Sequence, residues 1–135
     1  MSSMNILVIG GNSFTNRKLA QGLISKVISD SACSTVTITE PGVSKNYCCL
    51  DSFCKNNNYN YERLPYGKGS YDVRSVTKKA IDTLALKDDK AIVIFWRGES
   101  WSVTEYLRKI NKLQIPTFLY NYTDDSIEVL YGKEL

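Results

Sequence analysis

Two hydrophobic periods alternate along this chain, and together they leave few architectures open. Short β-branched or apolar runs occur at Ile6–Ile9, Val36–Ile38, Ala91–Phe95 and Thr117–Tyr120, with a weaker candidate at Tyr59–Leu64. Between them lie longer segments with helical spacing. The first places Leu19, Ala20, Leu23, Ile24, Val27 and Ile28 on one face, and another does the same with Val73, Val76, Ala80, Ile81 and Leu84. A further segment uses Val103, Tyr106, Leu107 and Ile110, and its Ser102-Val103-Thr104-Glu105 reads as a capping box opening that helix. A less regular helix is expected around Lys45 to Lys55.

Strand and helix in regular turn argue for a mostly parallel sheet with right-handed crossovers. After Tyr122, "TDDS" reads as a turn and "IEVLYG" as a short antiparallel edge strand. The expected fold is α/β: a small Rossmann-like three-layer sandwich, with a mostly parallel sheet of five or six strands and helices on both faces. No repeat or linker interrupts the pattern, and residues 1–135 suit a single domain.

In such sheets ligands bind beyond the carboxyl ends of the strands. Four loops therefore matter: "GGNSFTN", "EPGVSKN", "PYGKGSYD" and "WRGESWS". Each combines glycine with serine, threonine or asparagine, so backbone amides at a helix start can approach an anion. Read singly, none is diagnostic. "GGNSFTN" lacks the third glycine of a dinucleotide fingerprint, and only Glu40 stands as an acid after the second strand. "YGKGSYD" lacks the first glycine of a Walker loop.

The chain has no histidine, which excludes Ser-His-Asp and Cys-His nucleophilic machinery. Its four cysteines, Cys33, Cys48, Cys49 and Cys54, form no CxxC and offer no zinc spacing, so they read as reduced thiols. A net charge of +3 helps an anion approach but is too small to argue for duplex DNA binding, so no nucleic-acid partner is expected. No apolar run reaches membrane-spanning length and no signal-peptide core follows Met1, so no membrane partner and a cytoplasmic location are the expectation.

Taken together, the loops resemble the SLOG superfamily, in particular its short stand-alone members from bacteria and phages. Those proteins often follow their first strand with Gly-x-Arg-Asp-Phe-Thr-Asp; here Gly10-Gly11-Asn12-Ser13-Phe14-Thr15-Asn16 keeps the glycine and Phe-Thr and replaces the Arg and Asp. Their Pro-containing third loop, ending in Ile-Arg-Asn, is matched by Pro65, Gly67, Lys68 and Val73-Arg74-Ser75. Their Phe-Trp-Asp-Gly-x-Ser-x-Gly-Thr is matched by Phe95-Trp96-Arg97-Gly98-Glu99-Ser100-Trp101-Ser102-Val103, with Ile115-Pro116 following. The order of these three pieces agrees over nearly the whole chain.

The resemblance implies a pocket for a nucleotide-derived small molecule, ADP-ribose-like or a cyclic nucleotide; no cofactor or metal is expected beside it. Gly10, Gly11, Asn12 and Ser13 would form one wall with Phe14, and Gly42 is the remnant of a glycine-rich second loop. Gly98, Ser100 and Ser102 would offer a second anion site, Arg74 and Arg97 phosphate contacts, and Trp101 a stacking surface. The cytokinin-activating (LOG-like) branch cleaves nucleotide N-glycosidic bonds with a Pro-Gly-Gly-x-Gly-Thr-x-x-Glu motif. Only Pro41-Gly42 echoes it, so Glu40, Glu99, Asp51 or Asp72 would have to replace the missing carboxylate. The leading expectation is thus a binder and not an enzyme, one version being sequestration of a defence-signalling nucleotide by a phage or mobile-element protein. The alternatives are a nucleotide N-glycosidase and a protein-binding inhibitor on a degenerate SLOG scaffold. A homodimer is a further expectation.

Overall fold

The structure is a computed structural model. It describes residues 3–10, 17–31, 33–41, 50–64 and 70–132, with residue 17 and residues 70–73 described by backbone alone. Among the described residues ten elements follow in chain order: β1 (Ser3–Ile9), α1 (Arg17–Ser31), β2 (Thr35–Pro41), α2 (Leu50–Asn57), β3 (Asn60–Leu64), α3 (Ser70–Ala85), β4 (Asp89–Trp96), α4 (Trp101–Leu113), β5 (Thr117–Asn121) and β6 (Ser126–Leu130). All the expected strands are present. The second helix is described from Leu50 onward, so residues 45–49 of that expectation lie outside the described residues.

The six strands form one sheet in the order β3-β2-β1-β4-β5-β6. The first five are parallel, and β6 returns antiparallel to β5, with Asn121 opposite Ser126 and Thr117 opposite Leu130. Central parallel strands are shielded from water and read as continuous apolar runs. Accordingly, Ile6–Ile9 and Ala91–Phe95 are buried throughout.

Successive strand residues face opposite sides of a sheet, and β1 divides its side chains between two buried clusters. Met4, Ile6 and Val8 join Leu23, Ile24 and Val27 of α1 and Phe53 of α2. Leu7 and Ile9 join Ile81 and Leu84 of α3 and Val103, Tyr106 and Ile110 of α4. Ion pairs Lys78–Glu105 (3.1 Å) and Lys109–Asp82 (2.7 Å) add to the packing of α3 against α4. The arrangement fits a three-layer α/β fold.

The strand order carries the functional consequence. From β1 the chain moves outward through β2 to β3, then crosses back to place β4 on the other side of β1. Strand order reverses between β1 and β4, the kind of switch point at whose carboxyl ends doubly wound sheets bind ligands.

Candidate functional site at the carboxyl edge of the sheet

The switch point begins at Gly10, just past the apolar run of β1. Its φ is +83°, and a Cβ there would lie 2.1 Å from the Phe95 carbonyl oxygen of β4. Left-handed backbone and direct contact with the neighbouring strand both demand glycine. The end of β1 is thereby seated on the backbone of β4.

On the neighbouring strand, β4 runs into Arg97, Gly98 and Glu99, all exposed. Gly98 has φ +99°, and a Cβ would lie 2.8 Å from the Asn121 side-chain amide nitrogen. The β5–β6 turn holds this loop from behind. The Thr123 hydroxyl donates to the Arg97 carbonyl (2.9 Å), the Tyr122 amide donates to the Trp96 carbonyl (3.0 Å), and Asn121 Oδ1 accepts the Thr123 amide (2.9 Å). Sequence reading took "TDDS" only as a turn and missed Asn121 and Thr123 as supports. Asn121 leaves a local mark, the short turn to the Thr123 amide, but the Thr123–Arg97 bond spans 26 residues and leaves none.

The loop ends at the start of α4, and here the sequence expectation is corrected. The helix is capped by Ser100, whose backbone is extended and whose side-chain oxygen accepts the Val103 amide (3.3 Å), not by a Ser102–Glu105 box. Ser102 lies inside the first turn, and Glu105 is drawn to Lys78 of α3. The Ser100 carbonyl also accepts from the amide (3.0 Å) and hydroxyl (2.9 Å) of Thr104. Trp101 and Ser102 contribute the first amides of the helix, whose first turn carries no acidic residue to offset its positive dipole end.

Trp101, the first residue of α4, is 64% exposed. The Arg74 guanidinium carbon of α3 lies 4.4 Å from the centroid of its ring. Helices that follow parallel strands begin at the carboxyl edge of the sheet, which is why the early turns of α3 and α4 meet there. Behind this pair, Tyr106 is buried; its hydroxyl is pushed up by burial, opposed by the Thr77 hydrogen bond and by the charge of Arg74. Trp96 is half-buried and packs against the α3–α4 cluster, so of the two tryptophans Trp101 is the exposed one.

On the other side of β1, Glu40 of β2 is buried, with only 2% exposure. Its carboxylate accepts the Tyr61 hydroxyl of β3 at 2.9 Å. Burial lifts its pKa from 4.5 to about 7; the Tyr61 bond and the charge of Arg63 oppose the rise, and Asp51 of α2 adds to it. A carboxyl group titrating near neutrality at a strand end is able to bind hydroxyls or transfer a proton.

The structure thus brings Gly98, Ser100, Trp101, Ser102 and Arg74 together, with Gly10 against the neighbouring strand end and Arg97 exposed on the intervening loop. Gly11, Asn12, Ser13, Phe14 and Gly42 lie outside the described residues. Among the described residues no group of three or more Cys, Asp or Glu is placed to hold a metal, and no helix is long and apolar enough to cross a membrane. Cys33 and Cys54 are free thiols. No protein-family model matches the chain, and no curated protein matches it significantly.

Proposed function

We propose that this chain is a SLOG-like binding module that holds a nucleotide-derived small molecule at the carboxyl edge of its sheet. The observation that carries the reading is the Arg74–Trp101 stack at the start of α4. An arginine laid on an indole keeps its N–H donors in the guanidinium plane, where their fork matches two phosphate oxygens. The exposed indole supplies the flat surface on which a base stacks. The first amides of α4 and the glycine backbone at Gly98 favour an anion beside that surface.

The reading takes α1 and α2 to cover one face of the sheet and α3 and α4 the other, which leaves the carboxyl edge for the ligand. A module of this kind acts by holding its ligand, and sequestration of a signalling nucleotide is the activity it suits. Mass spectrometry of small molecules released on denaturing the purified protein tests this. A nucleotide-derived mass near one equivalent, lost from Arg74→Ala and Trp101→Ala proteins, is the expected result. Equal retention by those folded variants contradicts it.

Glu40 favours a second reading, nucleotide N-glycosidase activity, since a carboxyl group with a pKa of about 7 suits general acid catalysis. Incubation with AMP and CMP followed by chromatography would then yield free base. Unchanged nucleotide at high protein concentration contradicts that reading.

A further inference from the structure

The sheet ends at β6, and among the described residues nothing pairs with its outer side. The direction of its backbone groups follows from the neighbouring ladder. The Ile92 amide donates to the Pro116 carbonyl, and the Tyr122 amide donates to the Trp96 carbonyl. Backbone groups alternate sides along a strand, so residues 116, 118, 120 and 122 serve β4, while Thr117, Leu119 and Asn121 serve β6. Their partners there are Leu130, Glu128 and Ser126. Ile127 and Val129 therefore turn their N–H and C=O groups away from the sheet.

Edge strands are commonly blunted by charge, proline or a bulge. β3, at the opposite edge, exposes Glu62 and Arg63 side by side. β6 is Ser126-Ile127-Glu128-Val129-Leu130, with an unbroken register against β5, and Glu128 is its only charge. Ile127 is 47% exposed; Tyr131, just past the strand and tied by its hydroxyl to Asn111 of α4, is 45% exposed. Apolar surface thus lies along the open backbone. Left-handed backbone at Asp125 (φ +57°) and Tyr131 (φ +56°) bounds the stretch that is able to pair.

We infer that β6 pairs antiparallel with the β6 of a second copy of this chain, about a two-fold axis at Glu128. Two six-stranded sheets then join into one. Such pairing must match outward residues with outward residues. Centring it on Ile127 or Val129 would draw Asp125 or Tyr131, with their left-handed backbone, into the ladder. Centring on Glu128 sets Ile127 opposite Val129 of the second copy, twice, and each such pair exchanges two hydrogen bonds. Donors, acceptors and apolar side chains are thus self-matched, as a two-fold interface requires. The same register puts the two Glu128 side chains directly opposite each other, which opposes pairing. With a five-residue strand from each copy the interface is small, so the dimer is weak and concentration-dependent. The inference gives a surface to the homodimer expected from sequence, and it does not rest on the nucleotide reading.

Sedimentation velocity of the intact protein over a concentration series tests this. Wild-type protein is expected to dimerise reversibly. Val129→Pro removes an outward donor without touching the β5 ladder, and is expected to weaken the dimer at least about tenfold. Glu128→Gln relieves the like-charge pair and is expected to tighten it about threefold. Glu128→Lys alone restores repulsion, but its equal mixture with wild-type protein sets lysine opposite glutamate. That mixture is expected to associate about fivefold more tightly than either protein alone. Monomers throughout, in Glu128→Gln and in the mixture, overturn the inference. A dimer indifferent to the charge exchange overturns it as well, because it uses another surface or register. Glu128 is exposed, so the charge exchange decides the matter even where the proline variant fails to fold.

Discussion

Arg74 and Trp101 are 27 positions apart in the chain, yet the guanidinium of one lies 4.4 Å from the ring centroid of the other. They meet because α3 and α4 both begin at the carboxyl edge of the sheet. At a site this exposed the stack contributes only about 0.5–1 kcal/mol to folding, so its value to the fold is small. Trp101→Ala is therefore expected to shift urea-unfolding stability by no more than about 1 kcal/mol. The same change is expected to weaken nucleotide binding about tenfold or more, the loss typical of removing an aromatic stacking partner. A large stability loss with unchanged affinity would make the pair structural.

The two glycines of the candidate site differ in what surrounds them. A Cβ on Gly10 would meet a strand carbonyl at 2.1 Å, whereas on Gly98 it would meet the end of the Asn121 side chain at 2.8 Å. A side-chain amide is able to swing aside and a sheet backbone is not. Gly10→Ala is thus expected to cost more than about 3 kcal/mol, and Gly98→Ala about 1–2 kcal/mol from left-handed strain. Chemical denaturation of the two variants side by side gives the comparison, and equal losses would contradict it.

Glu40 makes stability depend on pH in a defined direction. Its pKa in the folded protein, about 7, lies above its ordinary 4.5, so the native state keeps a proton that the unfolded chain releases between those values. The associated stability is complete below about pH 4.5 and is lost as pH rises through about 7, amounting to about 3 kcal/mol. Glu40→Gln removes the titration. Relative to that variant, wild-type protein is expected to lose melting temperature between pH 5 and pH 8, and parallel profiles would contradict this.

Ser100 and Ser102 offer a direct test of where α4 begins. Replacing the capping residue with alanine removes a partner from the Val103 amide and is expected to cost about 1 kcal/mol. Ser102→Ala, inside the first turn, is expected to change stability by a few tenths of a kcal/mol. The reverse order would restore the Ser102–Glu105 box.

The cap shows why parts of the molecule were legible in sequence and others were not. Both serines precede apolar helical residues, and the glutamate three places after Ser102 favours the wrong one on local grounds. In the fold the helix begins after Ser100, and Glu105 pairs with Lys78 of another helix, a contact that the local sequence does not show. The buried runs of β1 and β4 and the apolar face of α1 were readable, because burial leaves a periodic record in the residues themselves. The β6 return was readable from its turn residues. The crossover that places β4 beside β1 left no such record, since strand order depends on long-range pairing. For the same reason the resemblance indicated Arg74 and Trp101 separately, while their contact emerged only from the fold. Asn121 and Thr123 support a loop more than twenty residues before them in the chain, and the near-total burial of Glu40 is equally non-local.

The central claim, a nucleotide-derived ligand at the β1–β4 edge, is tested most directly by calorimetric titration of the folded protein. The panel is ADP-ribose, cyclic ADP-ribose isomers and cyclic dinucleotides, run in parallel on wild-type and Arg74→Ala proteins. Saturable heat at one site with at least one compound, weakened at least about tenfold in the variant, is the expected result. No heat with any of them from folded wild-type protein, or binding that Arg74→Ala leaves unchanged, would contradict the claim.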